Sequence, residues 1–117
     1  MNNSIILYHN PHCSKSRQTL ELLNERDIEP EIIEYLKTPP EKAELERILK
    51  LLDLSPRDLM RRKEAEYKQS GADNPALSDD ALIDIMLANP KLIERPIVVT
   101  GKRAVIGRPP ERVLEIL

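Results

Sequence analysis

The sequence predicts a single α/β domain over residues 1–117, a mixed sheet in the order βαβ, helical insert, ββα, with helices on both faces. Three observations carry that prediction. Two short runs of β-forming residues, Ile5-Ile6-Leu7-Tyr8 and Ile32-Ile33-Glu34-Tyr35, bracket a helical pattern at the spacing of a right-handed crossover, so the strands should be parallel. Two further runs, Ile97–Val99 and Ala104–Ile106, flank Thr100-Gly101-Lys102-Arg103 and read as a hairpin. Helix patterns fill the stretch between the two pairs.

The elements follow in order. Asn10-Pro11 stops the first strand, and a polar helix runs from Ser14 to Arg26 with Leu20 and Leu23 on one face. Asp27 to Pro30 breaks it before the second strand. Thr38-Pro39-Pro40-Glu41 has the form of a capping box opening a helix whose apolar stripe is Leu45, Ile48, Leu49 and Leu52. Ser55-Pro56 restarts the chain as a short helix with Leu59 and Met60. The polar stretch from Glu64 to Leu77, with Gly71 and Asn74-Pro75, reads as a mobile connection. Ser78 caps a helix that turns Leu82, Ile85 and Met86 inward, and Asp79 and Asp80 suit its dipole. Pro109-Pro110 opens a last helix bearing Val113, Leu114 and Leu117.

Composition narrows the function classes. Eighteen basic and 20 acidic side chains leave a net charge of −2, so nothing global favours a nucleic-acid or membrane partner. Three Tyr without Phe or Trp make the core aliphatic and offer no base-stacking platform. The first ten residues lack the basic start and long apolar core of a secretion signal, and no apolar run reaches transmembrane length. A lone cysteine cannot form an internal disulfide and suits a reducing cytoplasm.

That cysteine, Cys13, stands between a strand and the entrance of a helix, where unpaired amides and the helix dipole favour a thiolate. Lowering a thiol pKa from about 8.5 by two units needs about 2.7 kcal/mol. A helix N-terminus supplies about 0.3–1 kcal/mol when exposed and up to about 2 when sheltered. Cations must supply the rest, and His9, His12, Lys15 and Arg17 lie near in sequence. The bland alternative is a buried small hydrophobe. The polar neighbours Asn10-Pro11-His12 and Ser14-Lys15-Ser16-Arg17 oppose it. Of the two histidines, His9 at the strand end is placed to tune the thiol, and His12 reads as a loop residue. A zinc site would need four ligands in paired clusters, and the chain offers no second cluster.

Ser16 stands where a dithiol enzyme would carry its resolving cysteine. Reducing electrons must therefore come from external thiols. Arg61, Arg95 and Arg108 lie at element boundaries, and guanidinium forks match tetrahedral oxyanions. Spacing alone does not make them converge. Arg47, Arg57 and Arg62 read as solvated surface residues.

Tyr8-His9-Asn10-Pro11-x-Cys13-x-x-Ser16-Arg17, with Arg61, Glu94-Arg95-Pro96-Ile97-Val98-Val99 and Gly107-Arg108-Pro109, resembles the glutaredoxin-coupled arsenate reductase family. Glu34-Tyr35-Leu36, Thr38-Pro39-Pro40 and Leu82-Ile83-Asp84 extend the likeness over essentially the whole chain. The resemblance implies a thioredoxin-like domain in which Cys13 attacks arsenate and Arg61, Arg95 and Arg108 bind the oxyanion. It implies that His9 supports a low thiol pKa, that Ser16 and Arg17 belong to the same catalytic motif, and that the Arg95–Pro96 bond is cis. Glutathione would be co-substrate and glutaredoxin partner, with no bound cofactor. Two other readings stay open. One is a glutathione-dependent thiol reductase with another substrate, which the arginine set disfavours. The other is an Spx-type regulator that binds RNA polymerase, whose usual C-x-x-C switch is missing at Ser16.

Overall fold

The computed structural model describes residues 5–117; the first four, which open the segment read as lacking a secretion signal, lie outside the described residues. The chain forms two compact units, one running to Thr38 and resuming at Arg95–Leu117, the other Pro39–Glu94.

The first unit holds the sheet. Its elements are β1 (Ile6–His9), α1 (Ser14–Glu25), β2 (Glu31–Glu34), β3 (Ile97–Val99), β4 (Ala104–Ile106) and a final 3-10 helix, Pro110–Ile116. Strand order is β2-β1-β3-β4, with β1 parallel to β2 and antiparallel to β3, and β3 antiparallel to β4. Both pairings read from the sequence are present. Leu7 stands opposite Ile32 and Val98, and Val98 opposite Val105. Because side chains alternate along a strand, this row lies on one face. There Leu7, Val98 and Val105 pack with Ile5, with Leu23 of α1 and with Val113 of the final helix. The row ends at the sheet edge, where Ile32 is exposed.

A left-handed turn closes α1. Asp27 takes φ 59°, its N–H donates to the Asn24 carbonyl, and the Ile28 N–H reaches back to the Leu23 carbonyl. This pairing satisfies carbonyls that a helix end leaves open, and it folds Ile28 onto the core beside Leu23. Full burial of a leucine such as Leu23 stabilises by about 1.5–3 kcal/mol. The chain's final helix is a 3-10 helix, where the sequence predicts a helix without fixing its type.

The second unit is helical: α2 (Lys42–Leu52), α3 (Pro56–Leu59), α4 (Ala65–Gln69), α5 (Asp79–Ala88) and a 3-10 turn, Pro90–Leu92. Leu45, Ile48 and Leu49 of α2 are buried as the periodicity predicts. Four expectations are corrected here. The capping box does not form, because Pro39-Pro40 delays the helix to Lys42; Glu41 is its N-cap and makes no side-chain cap. On α5 it is Ile83, not Ile85, that joins Leu82 and Met86 in burial, although Ser78 does cap Ala81 N–H at 3.2 Å. The stretch from Glu64 to Leu77 is not a bare connection. It contains α4, and Arg57 clamps it by donating to the Tyr67 hydroxyl (2.7 Å), the Ala72 carbonyl (2.7 Å) and the Asn74 carbonyl (3.0 Å). Arg57 is thus a structural anchor rather than a solvated surface residue. Lys42 at the start of α2 pairs with Asp80 (2.8 Å) and Asp84 (3.0 Å) of α5. No helix among the described residues is long and apolar enough to cross a membrane.

Candidate active site

β1 ends at His9 and α1 begins at Ser14, so four residues make the turn. Asn10 organises it. Its side-chain oxygen accepts the His12 N–H at 3.0 Å, and its carbonyl accepts the Cys13 N–H at 3.0 Å. Cys13 becomes the N-cap of α1 in extended backbone (φ −100°, ψ 123°), and its carbonyl receives the Arg17 N–H. A sulfur thus occupies the position where a side-chain oxygen usually covers the first amides. No short capping bond closes on it.

Cys13 is 8% exposed. Burial opposes its ionisation, yet the Ser16 amide, the Arg95 guanidinium and the Lys15 amide together hold its pKa below the ordinary thiol value. These contacts favour the anionic form of the sulfur at the helix entrance. The cations at the sulfur are distant in sequence. Arg95 hydrogen-bonds it, and Arg108 Nη2 lies 3.7 Å from Sγ. The sequence-local His12 and Arg17 are instead exposed.

One hairpin delivers both arginines. Arg95 stands two residues before Ile97, and Arg108 two residues after Ile106, which is Ile97's partner across β3 and β4. The Gly107 N–H donates to the Pro96 carbonyl at 2.9 Å, and Arg108 Nε to the Arg95 carbonyl at 2.7 Å. The Arg95–Pro96 bond is cis, as the resemblance implies, and the Arg108–Pro109 bond is cis as well. Burial works against the charge on Arg95, but the contacts with Cys13 and Tyr35 outweigh it and raise its pKa.

His9 does not touch the sulfur directly. Its Nδ1 lies 2.6 Å from the Ser16 hydroxyl, which also accepts the Asn10 N–H at 3.1 Å. Burial lowers the His9 pKa; Glu34 opposes this and Arg17 adds to it, so the setting favours the neutral ring. A neutral ring cannot add a positive charge beside the thiolate. It supports the site by fixing the fully buried Ser16, whose amide faces the sulfur. Arg17 donates to the Pro11 carbonyl at 2.9 Å and braces the turn.

The first unit therefore gathers His9, Cys13, Ser16, Arg17, Arg95 and Arg108. Arg61 belongs to the second unit, where it pairs with Glu94 (2.6 Å) and Glu64 (3.4 Å) and its N–H donates to the Leu92 carbonyl. Sequence reading missed two contributors. Tyr35, 1% exposed, reads there as a strand residue and as part of the likeness, without a site role, and nothing local signals its contact with Arg95. Asn10 reads as a strand stop, although Asn before Pro is itself a turn signal. Among the described residues, no three His, Cys, Asp or Glu side chains come together as a metal site would need.

The profile of the ArsC family matches residues 8–116. The uncharacterized protein YfgD of Escherichia coli (strain K12) is 53% identical over 118 residues, covering 100% of this chain and 99% of its own. The arsenate reductase of Haemophilus influenzae is 50% identical over 115 residues, covering 97% and 99%. The solved arsenate reductase of Vibrio cholerae superposes with a TM-score of 0.95 at 52% identity, over the full length of both chains. The fold is the thioredoxin-like α/β architecture of these neighbours.

Proposed function

The chain belongs to the ArsC family, and on that footing we propose that it reduces arsenate to arsenite through Cys13, with glutathione and glutaredoxin as external reductants. The observation that carries the reading is a thiol with a depressed pKa held against two guanidinium groups and two helix amides. Such a cradle favours an anionic sulfur and a tetrahedral oxyanion beside it. The family relatives named for arsenate give the oxyanion its identity.

In the proposed cycle, Cys13 thiolate attacks arsenic and a sulfur–arsenic bond replaces an arsenic–oxygen bond, the departing hydroxide taking up a proton from solvent and leaving as water. Arg95 and Arg108 neutralise charge on the remaining oxygens; the same role for Arg61, which is ion-paired within the second unit, rests on the family resemblance alone. A glutathione thiolate then attacks the Cys13 sulfur. The sulfur–arsenic electron pair goes to arsenic, which leaves as arsenite, two electrons richer. The mixed disulfide on Cys13 is resolved by glutaredoxin, whose thiol takes the glutathione and returns the cysteine. Ser16 cannot do this itself, which accords with a supply of outside thiols.

The test is steady-state turnover with arsenate, glutathione and glutaredoxin, following arsenate-dependent glutathione oxidation. Cys13→Ser should abolish it while the domain stays folded. Turnover retained by that variant removes Cys13 as nucleophile. Absence of arsenate-dependent oxidation in the unaltered protein leaves the scaffold to a thiol reductase with another substrate.

A further inference from the structure

The exit of β4 is packed without spare room. A Cβ on Gly107 would lie 2.6 Å from Thr19 Oγ1 and 2.9 Å from Pro96 Cγ. Neither neighbour yields easily. Thr19 is fully buried and its hydroxyl donates to the Lys15 carbonyl at 2.9 Å, while the proline ring is rigid. The Gly107 N–H is meanwhile tied to the Pro96 carbonyl.

From this contact we propose that Gly107 is a positioning residue for the thiolate site: its missing side chain seats the Arg108 end of the hairpin on Thr19 of α1 and sets the separation of Arg108 from Cys13. The two sides of the contact lead to the two kinds of group around the sulfur. Arg108 follows Gly107 directly, and its Nη2 stands 3.7 Å from Sγ, already long for a hydrogen bond to sulfur. Thr19 hangs from the carbonyl of Lys15, whose own amide helps hold the sulfur as an anion. One steric contact therefore registers guanidinium against helix. A methyl group inserted there wedges the hairpin from the helix and carries Arg108 away.

The inference rests on the reading of Cys13 as a working thiolate, and its test needs no arsenate. The rate of iodoacetamide alkylation of Cys13 is followed against pH in the full chain, for the unaltered protein, Gly107→Ala, Thr19→Ala and the double variant. Gly107→Ala should move the titration midpoint upward and slow alkylation below it by about threefold to tenfold. Thr19→Ala alone should stay near the unaltered midpoint, and adding it to Gly107→Ala should recover part of the loss. A folded Gly107→Ala protein with an unchanged midpoint overturns the proposal. Should that variant not fold, the double variant decides: the Pro96 contact persists in it, so a midpoint equal to that of Thr19→Ala is equally fatal. Failure of arsenate turnover would leave these alkylation results standing.

Discussion

Replacing Arg108 by methionine keeps most of the side chain's bulk and removes its charge. At the observed 3.7 Å, a unit positive charge stabilises the thiolate by about 1.1 kcal/mol at a dielectric of 80 and about 4.5 kcal/mol at 20. Arg108 is only half-buried, and the Arg95 guanidinium remains beside the sulfur after the change. Both features place the loss toward the lower figure, about 1.4 kcal/mol, which is one pKa unit. The Arg108→Met thiol should titrate about one unit higher, and alkylation well below the midpoint should slow about tenfold. The assay is the pH dependence of alkylation, scored by mass, with the urea midpoint as a check on folding. That check is needed because the bond from Arg108 Nε to the Arg95 carbonyl is lost as well. A folded variant whose thiol titrates as before would refute the assignment of Arg108 to the sulfur.

Ser16→Ala leaves the Asn10 N–H and His9 Nδ1 without their shared partner in a buried setting, and should cost about 2–4 kcal/mol in urea unfolding. An unchanged urea midpoint would show that the network is not structural. Arg57→Ala removes three hydrogen bonds from the segment around α4 and should cost about 2–3 kcal/mol. It should also speed proteolysis between Glu64 and Leu77; equal cleavage rates would count against the clamp. The depressed Cys13 pKa gives a signed stability effect: between the folded and unfolded thiol pKa values the unfolded chain binds more protons, so stability rises with pH. Relative to Cys13→Ser, the unaltered protein should therefore gain stability from the folded pKa up to the ordinary thiol value and lose it again as pH falls; a flat difference would contradict the depressed pKa.

The first strand, α1 and the second strand are legible because runs of β-forming residues, 3.6-residue periodicity and Asn10-Pro11 agree with one another. The same local rules misread the start of α2, where two prolines hold the chain extended beyond reach of Thr38. They also misread Glu64 to Leu77, which is polar by composition yet held by an arginine from outside the segment. Cys13 at a helix mouth could be read from order alone. Its cationic partners could not, since 82 residues separate Arg95 from Cys13 and only the hairpin register brings them together; the resemblance, not the spacing, pointed to them. The closeness of Gly107 to Thr19 is a fact of packing, and no periodicity encodes it.

The hairpin arms also separate what may be altered from what may not. Its tip, Thr100–Arg103, closes with the Thr100 N–H donating to the Arg103 carbonyl at 2.8 Å, and Gly101 faces open space. Residues grafted at that tip, a fluorophore or a tether for immobilisation, leave the guanidinium-bearing ends where they are. Deleting one residue from either arm turns the pleat over and points one arginine away from its mate. The molecule thus offers a handle at one end of the same ribbon whose other end tolerates no change of length.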